Sequence, residues 1–177
     1  DTTTAATPLA LAALNANTEI DTAAAIIGLI PGSMGETSII AIGIGAAILL
    51  ITGVASWRII FSVFAGGIAT AMLFNSLGMS SLSITDHLIL GGFAFGAVFM
   101  ATDPVTAART DGGKYIYGAL IGCVAIVVRV MNPGYPEGMM LAILLMNVCA
   151  PLIDWCIVER NVARRSRRAL KKIIRED

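Results

Sequence analysis

The stretch 86–104, DHLILGGFAFGAVFMATDP, decides how the chain is read. Its apolar run has about the length needed to cross a bilayer core, and it closes on an acid and a proline. That length predicts a membrane-crossing helix. Gly91, Gly92 and Gly96 would let other backbones come close, as small residues do between membrane helices. Phe95 and Phe99 are spaced to stack on one helical face, with Asp103 further along the same face. Two rings leading to a carboxylate suit a constriction above a cation site. The plainer reading of the local pattern is that the rings pack and Asp103, near a helix end, caps the next loop.

The composition of the whole chain agrees with a membrane protein. Of 177 residues, 56% are hydrophobic and only 14% are charged. Mean hydropathy is +0.82. A water-soluble domain of this size does not need so much apolar surface, so several spans are expected. The stretches 38–54, 59–77, 86–104, 114–131 and 138–157 are the five candidates. Residues 1–37 ahead of them form a loop region with room for a short helix. Within it, AIIGLIPGSMGET at 25–37 is too broken by Pro31 and its glycines to span, and suits a re-entrant or interfacial element. The chain starts without Met or a basic leader segment, as a piece of a longer or processed polypeptide would.

Net charge is zero, but the first 57 residues contain no Lys or Arg, and eight of the twelve basic residues fall in 160–175. With five spans the ends lie on opposite sides. Placing the tail 158–177 in the cytoplasm puts Arg58, Arg109 and Lys114 there too. The other side then receives 1–37, 78–85 and 132–137, which carry acids only. Arg129 is left inside the fourth span near its outer end, to snorkel outward or to pair with an acid. The basic tail has helical spacing suited to anionic lipid headgroups, and its position directly after a span argues against nucleic acid.

Asp103 and Asp154 are the acids set well inside apolar segments. Such carboxylates are costly unless paired or occupied by a cation. Two at similar depth could share a sodium ion, with hydroxyls or carbonyls from Thr102 and Thr106. Otherwise each caps a helix or pairs with Arg109, Lys114 or Arg160. Asn75 and Asn147 are amides within apolar spans that either bond neighbouring helices or hold the edge of a ring cofactor. Cys123, Cys149 and Cys156 lack metal-ligand spacing and read as small core residues. His87 reads as an interfacial residue at a helix end. No phosphate loop, zinc motif or hydrolase triad is present in the sequence.

Several longer motifs go further. IPGSMGE (30–36), ASWR (55–58), GGFAFG (91–96), FMATDPV (99–105), NPGYPEGMMLAIL (132–144), APLID (150–154) and VERN (158–161) together resemble the B-type membrane subunits of sodium-translocating NADH:quinone reductases. The resemblance covers nearly the whole chain. It implies the carboxy-terminal half of a ten-span protein built as two inverted five-helix repeats, in the bacterial inner membrane. The family carries FMN through a phosphoester on a threonine in a Ser-Gly-Ala-Thr type motif. The matching stretch is Thr4-Ala5-Ala6-Thr7, with Thr for Ser and Ala for Gly, and Thr7 is the implied attachment residue. The resemblance further implies riboflavin, ubiquinone, and sodium transport coupled to electron flow. Asp103 and Asp154 match the acids of its sodium path, and Phe95 and Phe99 match its aromatic narrowing. Implied partners are the C-type flavin subunit, the F-type NADH-oxidising subunit, and the D-type and E-type membrane subunits. The D-type subunit of the Rnf electron-transport complex is the rival, sharing the threonine motif, TDPVTA and the APLID pattern. IPGSMGE and NPGYPEGMM favour the reductase. A carrier or channel without redox chemistry is the alternative from a different class, since inverted repeats occur there too.

Overall fold

A computed structural model of the chain describes residues 7–13, 22–33, 35–80, 82–132, 134 and 137–176. Thr4, Ala5 and Ala6 of the threonine motif, Met34, and Pro133, Tyr135 and Pro136 lie outside them. The regular elements among the described residues are all helical, as expected of an all-α membrane protein. They are α1 (Pro8–Ala13), α2 (Thr22–Ile27), α3 (Ile39–Ile51), α4 (Trp57–Ser76), α5 (Ile84–Ile89), α6 (Phe93–Phe95), a π turn (Gly96–Met100), α7 (Asp111–Met131) and α8 (Met139–Glu176).

Three of these are long and apolar enough to cross a membrane: α4, α7 and Met139–Arg168 of α8. Large apolar side chains stand exposed on them, including Phe61, Leu73, Leu144, Val148 and Leu152, as on helices that face lipid. α8 continues through the basic tail as one helix of 38 residues. At about 1.5 Å per residue it is roughly twice as long as a bilayer core is thick.

Helix α4 packs on α7 along a seam of small residues. A Cβ added at Gly122 would lie 2.1 Å from the Val63 carbonyl oxygen, and one at Gly66 would lie 2.3 Å from that of Ala119. Backbones can approach this closely only where side chains are missing, which is how membrane helices gain packing without a hydrophobic driving force. The pairing runs start to start. Arg58 pairs with Asp111, the Ser62 hydroxyl donates to the Lys114 carbonyl at 3.3 Å, and the Cys123 thiol lies 3.7 Å from the Gly66 carbonyl. The two helices are therefore parallel. α8 returns antiparallel to α7, with Gly138 against Val128 and the Tyr117 hydroxyl donating to Asn147 Oδ1 at 2.5 Å. Asn147 thus bonds a neighbouring helix.

Because α4 and α7 are parallel, the chain between them must travel back along the full height of the bundle. The stretch 86–104 does this, but as broken helix and not as the continuous span its length predicts. Gly91 and Gly92 both adopt left-handed backbone, with φ of 65° and 64°. That conformation ends α5 and restarts the chain as α6. These glycines face side chains and not other backbones: a Cβ on Gly91 would lie 2.3 Å from Leu9 Cδ2, and one on Gly92 would lie 2.6 Å from Glu36 Oε1. Gly96 likewise meets the Met139 side chain.

The first candidate span is also shorter than expected. α3 has 13 residues, about 20 Å of helix against a core of about 30 Å. Ser38 caps its start. α2 and the turn after it fold against that start at Gly28, where a Cβ would lie 2.9 Å from Ser38 Cβ. α3 then runs alongside α6 and the π turn, with Ile42 packed on Ala94 and Val98.

Substituting Gly122 with valine should lower the melting temperature by an amount equivalent to about 3 kcal/mol, since helix backbone has to move to admit it. Gly43 is the control, because a Cβ there meets nothing within 4 Å. Gly43→Ala should be neutral or slightly stabilising. Equal melting temperatures for the two variants would contradict the seam.

Candidate functional site

The break between α5 and α6 is finished by Arg129. Its guanidinium donates to the carbonyls of His87, Leu90 and Gly91. These are carbonyls that the end of α5 leaves without helical donors, and they must be satisfied internally where water is absent. Arg129 is only 5% exposed. Of the two expected outcomes for Arg129, outward snorkelling does not occur. Side chains on a helix lean toward its N-terminus, so an arginine near the end of α7 is directed back into the bundle. His87 is likewise not interfacial. It is 1% exposed, and its Nε2 lies 2.8 Å from the Ser80 hydroxyl. His87 Nδ1 and Asn75 Oδ1 are buried without a hydrogen-bond partner among the described residues.

Beside the break lies a small surface cleft, lined among others by Thr7, Pro31, Glu36, Gly91, Gly92 and Glu137. Thr7 is half-buried and stands at the start of α1, where its hydroxyl accepts from the Ala10 amide at 3.2 Å. Pro8 follows at the first helical position, where the missing amide proton costs nothing. Leu9 is buried against Leu90, which fixes α1 onto the break. Residues distant in sequence thus bring the threonine hydroxyl, two acids and the glycine pair to one cleft. The sequence patterns point to Thr7 only through the resemblance; no local signal links it to Gly91.

The two acids of interest lie on a different structure, the loop between the third crossing and α7. Asp103 lies beyond the last residue of the π turn. Its carboxylate accepts from the Val105 amide at 3.3 Å, the Thr106 amide at 3.2 Å and the Thr106 hydroxyl at 2.7 Å. The Thr106 hydroxyl first, and then the Val105 amide, hold its carboxyl below the usual carboxylate range. Asp154 reaches across from α8. It accepts from the Arg109 amide at 2.7 Å, the Thr110 amide at 3.0 Å and the Thr110 hydroxyl at 2.6 Å. Thr110 in turn caps α7 by accepting from Gly113 at 3.1 Å. The acids therefore hold opposite ends of one loop, 103–110. Among the described residues, no group of three or more His, Cys, Asp or Glu side chains is gathered for a metal.

Phe95 and Phe99 do stack, with ring centroids 5.0 Å apart and planes inclined at 41°. Phe99 lies over Gly45 of α3, where a Cβ would be 2.5 Å from its ring. The π turn closes with the Ala101 amide on the Gly96 carbonyl at 2.8 Å, and the helix ends there. Asp103 is consequently not on the continued face of the two rings. The Thr102 hydroxyl donates back to the Val98 carbonyl at 2.6 Å.

Comparison with known proteins adds a family to this geometry. The model of the family described as NQR2, RnfD, RnfE matches residues 1–163. A Chromohalobacter salexigens protein, named as the B-type subunit of a Na(+)-translocating NADH-quinone reductase, is 52% identical over 174 residues, covering 93% of this chain and 42% of that protein. Proteins of the same name from Klebsiella pneumoniae and Pseudomonas paraeruginosa are 56% and 54% identical, each over about four-fifths of this chain and 36% of their own length. The chain thus spans about two-fifths of the relatives it matches. The match takes in Thr7, the broken crossing and the acid-held loop alike, and the chain belongs to the NQR2, RnfD, RnfE family.

Proposed function

We propose that the chain is the carboxy-terminal part of the B-type subunit of a sodium-pumping NADH:ubiquinone oxidoreductase. In this reading it crosses the bacterial inner membrane five times, with its start periplasmic and its tail cytoplasmic. It would pass electrons from the C-type flavin subunit, fed by the F-type NADH-oxidising subunit, through covalent FMN and riboflavin toward ubiquinone. The D-type and E-type membrane subunits would be further neighbours. The observation that carries the reading is the meeting of Thr7 with the Gly91–Gly92 break in one cleft. Relatives named for the reductase, at 52% and 56% identity, support it over the Rnf complex.

The described residues fit a phosphoryl threonine at Thr7. Its hydroxyl lines a cleft and, among those residues, is engaged only through its acceptor side in the bond from Ala10. The glycine pair keeps the cleft open, since a Cβ on Gly92 would run into Glu36. FMN, when bound, supplies the exchange of electrons one at a time. The protein supplies its position, and the neighbouring acids Glu36 and Glu137 and the buried Arg129 set the local field. Sodium is the transported substrate. Asp103 and Asp154 would present carboxylate oxygens to it at the loop 103–110, with Phe95 and Phe99 narrowing the approach. Holding that loop and meeting sodium are compatible, because each carboxylate oxygen retains acceptor capacity beyond the bonds it already accepts. Coupling requires that flavin reduction change the affinity for sodium, since a site shifts only what it binds differentially.

In denaturing gels of the full-length protein, the wild type should show a fluorescent flavin band. Thr7→Ala should abolish it, because Thr7 is the proposed point of attachment. Absence of the band from the wild type would overturn covalent attachment at Thr7.

In the assembled complex, Asp103→Ala and Asp154→Ala should slow quinone reduction more at low than at high sodium. Equal slowing at every sodium concentration would leave these acids with loop-holding alone. Arg129→Met should remove donors from the break and cost about 3 kcal/mol or more, with faster proteolysis near 89–93. Arg129→Lys should recover part of this, since one ammonium cannot span the same carbonyls as a guanidinium fork. An unchanged melting temperature for Arg129→Met would show that the break does not depend on it.

A further inference from the structure

We propose that the cavity between the α3–α4 turn and the start of α7 is a binding site for the phosphate of an anionic phospholipid. The cavity has about 930 Å³ of empty space, and Ser56, Trp57, Thr102, Arg109 and Lys114 are among its lining residues. Among the described residues that line it, two are cationic and none is acidic. The nearest carboxylate to Lys114, Asp111 at 4.0 Å, is already paired with Arg58. Arg109 uses its backbone amide on Asp154, and its guanidinium attracts the same carboxylate at longer range without a direct ion-pair contact among the described residues. The Ser56 side chain makes no capping bond at the start of α4. Two cations and a hydroxyl therefore converge on a concavity with no acidic lining residue, while the neighbouring carboxylates of Asp103 and Asp154 are engaged by the amides and hydroxyls of Val105, Thr106, Arg109 and Thr110.

The surroundings select a lipid over a soluble phosphate. Trp57 is 55% exposed at the cavity edge. Tyr115 stands edge-on to its ring, with centroids 6.2 Å apart, and Arg58 lies 5.8 Å over the same ring. Aromatic rings grouped with cations at the end of an apolar helix mark the level of lipid headgroups. From the cavity an apolar track leads away along α3, where Ile44, Ile48 and Ile51 repeat at helical spacing and are 60%, 57% and 86% exposed. A headgroup in the basic cavity would leave its acyl chains along this stripe. A free phosphate would use the cations and leave the stripe unused. Basic pockets between membrane helices are a recognised way of holding such headgroups.

The test uses the full-length protein in nanodiscs of phosphatidylcholine doped with phosphatidylglycerol, with retained lipid counted by native mass spectrometry. Wild type should retain phosphatidylglycerol selectively. Each cation near the membrane surface contributes about five-fold in affinity, so Arg109→Gln with Lys114→Gln should weaken retention about 30-fold. The charge-preserving pair Arg109→Lys with Lys114→Arg should retain the lipid, which separates loss of charge from loss of fold. Equal retention of the two lipids by wild type would overturn the proposal. So would unchanged retention in the double glutamine variant, or displacement of the lipid by millimolar inorganic phosphate.

Discussion

The carbonyls exposed where the third crossing breaks need donors, and Arg129 provides them. Without water, each unsatisfied carbonyl would cost more than the glycine turn could return. The arginine lets a non-helical stretch persist inside the bundle, and the cleft beside Thr7 exists because of that stretch. α1 docks through Leu9 on Leu90, and Glu36 meets Gly92. One guanidinium from the later part of the chain thus holds its middle, and the beginning docks on that middle through Leu9.

The second constraint is the parallel seam between α4 and α7. Parallel neighbours cannot be joined by a short turn, so the chain between them has to cross back. This forces 84–100 through the bundle although its glycines favour a break. It also creates the loop 103–110 at the far end, where the chain turns again to start α7. Asp103 tightens the beginning of that loop, and Asp154 on α8 clasps its end. Any movement of α8 relative to α7 would therefore be felt at Thr110, the cap of α7.

The arrangement separates two environments by height. The cleft at Thr7 carries Glu36 and Glu137, while the opposite end of the bundle gathers Arg58, Arg109 and Lys114 with Trp57 and Tyr115. The basic residues ahead of the tail thus fall at one end of the bundle, together with Asp103, Asp111 and Asp154, except Arg129, which is buried at the other. The π turn lies between them. It packs Phe99 on Gly45 and ends the third crossing ahead of Asp103.

Composition and apolar run length were enough to determine an all-helical membrane chain and three of its five expected spans as long helices, because these depend on solvent transfer and on helix rise per residue. Motif resemblance singled out Thr7, whereas Asp103 and Asp154 stood out already as acids inside apolar segments. Tertiary structure alone decided that Gly91 and Gly92 break a helix instead of smoothing one, because a left-handed pair in this crossing survives only where a distant arginine supplies donors. It likewise decided that Arg129 turns inward and His87 is buried, since both follow from which helix lies beside them. That the two acids hold one loop depends on the register between α7 and α8, which no local pattern encodes.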